Sequence, residues 1–154
     1  MGVIKRQDLA EGEHSFALWK DTAEHEISGV LNGKNTYFSD PAGSFSAGDG
    51  KQGEGVDDLP RRIWAMAVRY SLFLLERKAP GEGVEVRVAP WGAIKILDGP
   101  ASDPHNLTPP DVIELEPDVW LRLACGITTW AEEKEAGHIS AVGERDDLSD
   151  LLPL

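Results

Sequence analysis

The feature that most constrains this chain is the run over residues 117–154, where short apolar segments follow one another with a start or stop signal at nearly every junction. Pro117 suits the first turn of a helix, because its missing N–H would be unpaired there anyway, and Gly126 can take the left-handed conformation that ends one. Residues 117–125 therefore read as a short helix that buries Val119, Trp120, Leu123 and Ala124. Thr129 stands at capping distance before Glu132 and Gly137 follows as a stop, so a second helix is expected over 129–136. Residues 138–143 are few, contain β-branched Ile139 and Val142, and lie between glycines, which favours a strand. Asp147 then caps a last helix whose Leu148, Leu151 and Leu152 share one face. That face must lie on something.

Upstream, residues 59–78 form the clearest long helix. Ile63, Ala67, Tyr70 and Leu74 make one stripe at helical spacing, and Trp64, Val68, Ser71 and Leu75 make the adjacent one. So broad a face fits a helix laid across a sheet. A hairpin follows. Val84, Val86 and Val88 alternate with Glu85 and Arg87, and Ile94 and Ile96 flank Lys95 in the same phase. Between the two runs, Ala89-Pro90-Trp91-Gly92 places proline where a type I turn is expected to want φ near about −65°. Residues 98–110 are polar and proline-rich, which rules out a helix there, and residues 112–116 make a third strand. The predicted architecture is α+β, with a largely antiparallel sheet of four to five strands and helices packed mainly on one face.

The N-terminal third has a different character. Residues 8–31 carry Leu9, Phe16, Leu18, Trp19, Ile27, Val30 and Leu31 among polar residues, as one helix or as two with a break near residues 20–22. Residues 32–57 are glycine-rich with few apolar side chains and cannot offset the entropy of ordering. The expected organisation is an N-terminal helical segment (1–31), a flexible linker or long surface loop (32–57) and a folded domain (58–154).

The order Asp118-x-Trp120-Leu121-x-Leu123-x-x-Gly126, then Thr129-Trp130, then Gly137-x-Ile139-x-Ala141-x-Gly143, and finally Asp147-Leu148 with Leu152-Pro153, resembles the C-terminal half of sterol-carrier-like domains. The chain looks most like their small stand-alone bacterial members, and the similarity extends back to about Leu59. It is also similar to the C-terminal domain of thiol-dependent maleylpyruvate isomerases. The resemblance implies an α/β layer enclosing an apolar tunnel for lipids or other hydrophobic molecules. Its walls would be the 59–78 helix, the sheet, and the final helix as a lid. The ligand-binding residues expected from those walls are Trp64, Tyr70, Leu74, Trp91, Ile94, Trp120, Leu148 and Leu151, with Tyr70 or Arg69 as the polar group that fixes orientation.

Composition narrows the remaining functions. A net charge of −12 argues against a nucleic-acid surface, which needs a basic footprint, and against anionic membranes. No stretch approaches the roughly 18 consecutive apolar residues of a membrane span, and the N-terminus lacks the apolar core of a signal peptide, so no stable membrane insertion and a cytoplasmic location are expected. Cys125 is the single cysteine and lies in an apolar run, where it reads as a small packed side chain. The four histidines lack the paired spacing of a metal site, no serine sits in a Gly-x-Ser-x-Gly turn, and the carboxylate pairs stand at helix starts where capping explains them. No catalytic residue, metal or cofactor is therefore expected. Three readings remain. The first is a non-enzymatic carrier of an apolar small molecule. The second is an accessory subunit to a thiol-dependent enzyme, with Arg69 or Arg87 on a carboxylate. The third is an interaction module that docks a protein partner or a second copy of the chain through Phe16, Leu18 and Trp19.

Overall fold

The computed structural model describes residues 2–33, 55–99, 111–143, 145 and 147–154. Its elements are α1 (Leu9–Gly33), α2 (Arg61–Lys78), β1 (Pro80–Val88), β2 (Gly92–Ile96), β3 (Asp111–Leu115), α3 (Pro117–Cys125), α4 (Trp130–Glu135) and β4 (Ile139–Val142). Short 3-10 turns lie at Arg6–Asp8, Val56–Asp58 and Ser149–Leu151. The prolines expected to keep residues 100–110 from forming a helix, and the glycine-rich stretch over 34–54, lie outside the described residues.

The four strands form one sheet in the order β2-β1-β3-β4. β1 pairs antiparallel with β2, and β3 antiparallel with β4, but β1 and β3 run parallel. The parallel pair arises because the chain, after the β1–β2 hairpin, crosses to the other side of β1 before β3 begins. Register places Val86 opposite both Ile94 and Ile113, and Val84 opposite Ile96, which puts the expected apolar positions on one buried face. On the other face Arg87 bridges Glu85 at 2.9 Å and Glu114 at 3.2 Å. This alternation is what a sheet covered on one side requires.

Helix α2 covers the apolar face, and Ala67, Val68, Leu72 and Leu75 are buried along it. α1 packs against α2 in turn and adds Trp19 and Ala23 to the same core. It runs unbroken through residues 20–22. Gly12 makes the close approach possible: a Cβ there would stand 2.8 Å from Tyr70 Cβ and 2.7 Å from Ile4 Cδ1. Gly12→Val is expected to cost about 2 kcal/mol through overpacking, seen as a lower urea midpoint with an unchanged slope.

Local signals near α3 and α4 are realised closely. Pro117 occupies the first turn of α3, and Gly126 ends it at φ 75°. The Gly126 N–H donates to Leu123 O at 3.2 Å and the Ile127 N–H to Arg122 O at 2.9 Å, the two bonds of a Schellman motif. Thr129 Oγ1 accepts from the Glu132 N–H at 3.2 Å and caps α4. Its hydroxyl in turn donates to the Glu132 carboxylate at 2.9 Å, so the capping box closes through the side chains instead of through the Thr129 N–H.

Three local expectations change. The hairpin turn is one residue earlier than a Pro90-led type I turn: the Trp91 N–H donates to Val88 O at 3.1 Å, and the Ala89–Pro90 peptide is cis. Val56 and Asp57, which the sequence places at the end of the linker or loop, belong to the Val56–Asp58 turn, where the Val56 N–H donates to Glu26 at 3.2 Å and its carbonyl accepts from the Trp64 indole at 3.0 Å. The final element is a single 3-10 turn and not an α-helical lid. Asp147 Oδ1 accepts the Ser149 N–H at 2.8 Å, and Leu152 is extended ahead of Pro153, so the chain has no room to propagate a helix. The tail is pinned instead: Lys78 Nζ donates to Leu151 O at 2.8 Å, and the Leu154 N–H to Ala124 O at 3.0 Å.

Candidate functional site

Three tryptophans from distant parts of the chain meet beside α2. Trp19 of α1 stands edge-on to Trp64 of α2 with ring centroids 5.5 Å apart, and Trp64 stacks on Trp91 of the hairpin turn at 6.2 Å. Helical spacing directs Trp19 and Trp64 toward one another, and the Trp64 N–H anchors the Val56 turn against them. Arg69 Nε donates to Trp91 O at 3.1 Å and ties the hairpin to α2.

Beyond Trp19, α1 continues its inward stripe as Ala23, Ile27 and Val30, and this stripe faces Val56 and Ile127 across a cleft of about 430 Å³. Ile27 is 43% and Val30 62% exposed, and the cleft they line mixes apolar Trp19, Ala23, Val56 and Ile127 with charged Glu26, Asp57, Asp118 and Arg122. The Trp19 side chain lines the cleft and is only 1% exposed, and among the described residues its indole N–H has no hydrogen-bond partner. A volume of this size suits a small ligand. A second depression of about 430 Å³ contains Trp64, Trp91, Leu59 and Arg61, and both depressions are bordered by Asp57 and Asp118.

Arg122 borders the cleft and leads to the most strongly perturbed acid described. Glu133 is 4% exposed, yet its carboxylate accepts from Arg122 Nε at 2.8 Å, Arg122 Nη2 at 3.2 Å and the Thr128 hydroxyl at 2.9 Å. His138 Nδ1 lies 2.7 Å from its other oxygen. Burial alone would push the Glu133 carboxyl up, but the hydrogen bonds from Arg122, His138 and Thr128 outweigh it and hold the pKa at about 2. Arg122 Nη1 reaches Asp118 at 3.0 Å. This cluster ties α3 to α4 and to the start of β4. Cys125, half-buried against the core, has its thiol pushed up to about 12 by burial and stays protonated.

The residues expected to contact ligand are distributed unevenly. Trp64 and Trp91 share one depression, and Ile94 borders another with Val3 and Lys95. Trp120 is wholly buried and donates its N–H to Ser71 Oγ at 2.8 Å, and Leu148 is also fully buried. Tyr70 is half-buried with its ring 6.0 Å from Phe16, while Leu74 and Leu151 are half-buried. The layer between α2 and the sheet is filled by Val68, Leu72, Leu75, Val84, Val86 and Ile113. Arg87 is engaged by two carboxylates, and Arg69 by a backbone carbonyl. Sequence reasoning passed over Ile27, Val30 and Glu133. The spacing Trp19, Ala23, Ile27, Val30 was a helical stripe that could have signalled the cleft, whereas nothing local distinguishes buried Glu133 from a capping Glu at a helix start.

An open mixed sheet with its helices layered on one face, α2 innermost, is a sterol-carrier-like arrangement. The chain belongs to the bacterial SCP ortholog family, whose model matches residues 60–154. The match includes α2, the whole sheet, α3 and the tail, and leaves α1 outside. Comparison with curated proteins returned no match. No described helix is long and apolar enough to cross a membrane.

Proposed function

We propose that this protein is a non-enzymatic carrier of a lipid-like or other apolar small molecule, and that the ligand lies in the cleft between α1 and α3. The supporting observation is the cleft itself: an apolar floor at Trp19 and Ala23, with Ile27 and Val30 exposed above it. Removing apolar surface from water supplies roughly 25 cal/mol per Å² buried and favours an occupant there. Membership in the SCP family supports the same ligand chemistry. Of the residues singled out in the sequence, Trp64 and Trp91 are retained as ligand contacts at the adjoining depression. Contact with Trp120 or Leu148 would require the layer between α2 and the sheet to open into the tunnel of the wider family.

Native mass spectrometry of freshly purified protein, followed by titration with uncharged monodecanoylglycerol read by tryptophan fluorescence, tests the reading. A one-to-one adduct or saturable binding is expected. Ile27→Asp with Val30→Asp should weaken that binding by about tenfold or more, the equivalent of some 1.4 kcal/mol. Both side chains are substantially exposed, so the fold should tolerate the change. Absence of any adduct together with a flat titration would overturn the proposal.

The exposed Ile27 and Val30 also favour a second reading, in which α1 docks a protein partner or a second copy of the chain. Sedimentation velocity on the same double variant separates the two: a dimer that dissociates on substitution supports docking, and a monomer throughout supports small-ligand binding.

A further inference from the structure

The two outer strands of the sheet are protected differently. With the order β2-β1-β3-β4, β2 and β4 each carry an edge of unpaired backbone N–H and C=O groups. Folds blunt such an edge with charged side chains, prolines, bulges or a covering segment. β2 has two of these devices: Lys95 within the strand, and Val3 of the N-terminal segment packed so closely on Gly92 that a Cβ there would stand 2.8 Å from Val3 Cγ2. β4 has none. Its sequence Ile139-Ser140-Ala141-Val142 holds no charge and no proline, its register with β3 is regular throughout, and among the described residues it pairs with β3 only. Val142 is 66% exposed, the most of any large apolar side chain described, and stands opposite Val112 on the uncovered face of the sheet.

We infer that β4 is a self-pairing edge, at which two copies of the chain meet about a two-fold axis and join their four-stranded sheets into one. A net charge of −12 makes two copies repel over most of their surfaces, so their contact requires a strip free of acids. β1 carries Glu82 and Glu85, β3 carries Asp111 and Glu114, and among the described strands β4 is the edge that offers such a strip. A two-fold axis pairs the strand antiparallel with itself, and opposed side chains share a face only when the axis passes through a residue. Centred on Ala141, the pairing would set Ile139 against Gly143, whose φ of 120° takes the chain out of the strand. Centred on Ser140, it sets Ile139 against Ala141 and His138 against Val142, with no acid opposite an acid. The His138 ring then covers the exposed Val142 of the second copy. That valine joins the wall of a depression of about 520 Å³ lined by His138, Ser140 and Glu114. Because β2 is guarded, assembly closes at two chains and does not continue into a fibre. So short a strip buries less surface than a standard interface, which gives a weak dimer with a dissociation constant on the order of 10–100 µM.

Sedimentation velocity of the full chain over about 5–500 µM, a range that brackets this constant, tests the inference. A shift from monomer to dimer with rising concentration is expected. Ser140 stands opposite its own copy, so Ser140→Lys and Ser140→Glu each set two like charges face to face and should each weaken the dimer by about fivefold or more. An equimolar mixture of the two variants sets lysine opposite glutamate and should restore association to at least the unmodified level. Ser140 is exposed, so both variants are expected to keep the urea midpoint of the unmodified chain. A chain that stays monomeric throughout the range would overturn the inference. Variants that shift association in opposite directions would do the same, since that is the signature of net charge acting at long range. A mixture that fails to recover the dimer would exclude the pairing at Ser140. Loss of the dimer in the Ile27→Asp, Val30→Asp variant would place the contact on α1 and likewise overturn it.

Discussion

Trp120→Ala is expected to destabilise the protein by about 4 kcal/mol, a large share of the roughly 5–15 kcal/mol that holds a domain of ordinary size together. The side chain has no exposed surface, and α3 presents it to α2 at the centre of the core. Truncation removes a large apolar area and leaves a cavity that the rest of the core cannot fill without shifting backbone. It also removes the donor to Ser71 Oγ, a hydroxyl that reaches back to Ala67 O at 2.7 Å within its own helix. Trp120→Phe separates the two contributions. It keeps the six-membered ring but loses the hydrogen bond and the smaller ring's packing, so a cost of about 2 kcal/mol, roughly half that of the alanine variant, is expected. Urea unfolding followed by far-ultraviolet circular dichroism gives both values. A Trp120→Ala cost below about 1 kcal/mol would contradict the central position assigned to this ring.

Glu133→Ala should cost about 3 kcal/mol at neutral pH, since it leaves the Arg122 guanidinium and the Thr128 hydroxyl without their shared acceptor. The same carboxylate makes stability depend on acidity. Its pKa is about 2 in the folded chain, against an ordinary value of 4.5. A carboxyl whose folded pKa is depressed binds more protons when unfolded, so its stabilisation is complete above the ordinary value and is lost as pH falls toward the folded one. The contribution, on the order of 3 kcal/mol, should therefore disappear between about pH 4.5 and pH 2. Glu133→Gln should flatten the dependence of unfolding free energy on pH across that window, even though it too is less stable at neutral pH. An unchanged slope in the variant would show that other carboxylates govern acid unfolding.

The contrast between Glu132 and Glu133 shows how far sequence carries. Both stand in the first turn of α4 and both fit a capping or dipole explanation. Glu132 stays at the helix start, where its carboxylate accepts the hydroxyl of the Thr129 cap, but Glu133 turns inward to meet Arg122, a residue of the preceding helix, and His138, which follows the turn. Nothing in the local spacing separates the two fates, because the difference lies in which face of a short helix meets α3. The tryptophans carry the same lesson. Trp64 was read from a helical stripe and Trp91 from a turn, yet their stacking, and the edge of Trp19 against Trp64, depend on α1 lying over α2. Trp120 belongs to an equally clear stripe and goes to the core instead. Residue type and period specify that a face is apolar. They do not say whether side chains or a ligand will cover it.

What the sequence by itself determined was local: α3 between Pro117 and the left-handed Gly126, the Thr129 cap of α4, the strands of the β1–β2 hairpin and their common apolar face, and the family signature in the C-terminal part. Each depends on backbone sterics, capping bonds or alternation within a few residues, so the information is contiguous in the chain. Only the tertiary structure decided the parallel pairing of β1 with β3, the docking of α1, the tail's 3-10 turn under Lys78, and the cleft where Trp19, Val56 and Ile127 meet. Those features join residues tens of positions apart. Their energies come from burying surfaces against each other, and those surfaces exist only once the separate elements have formed.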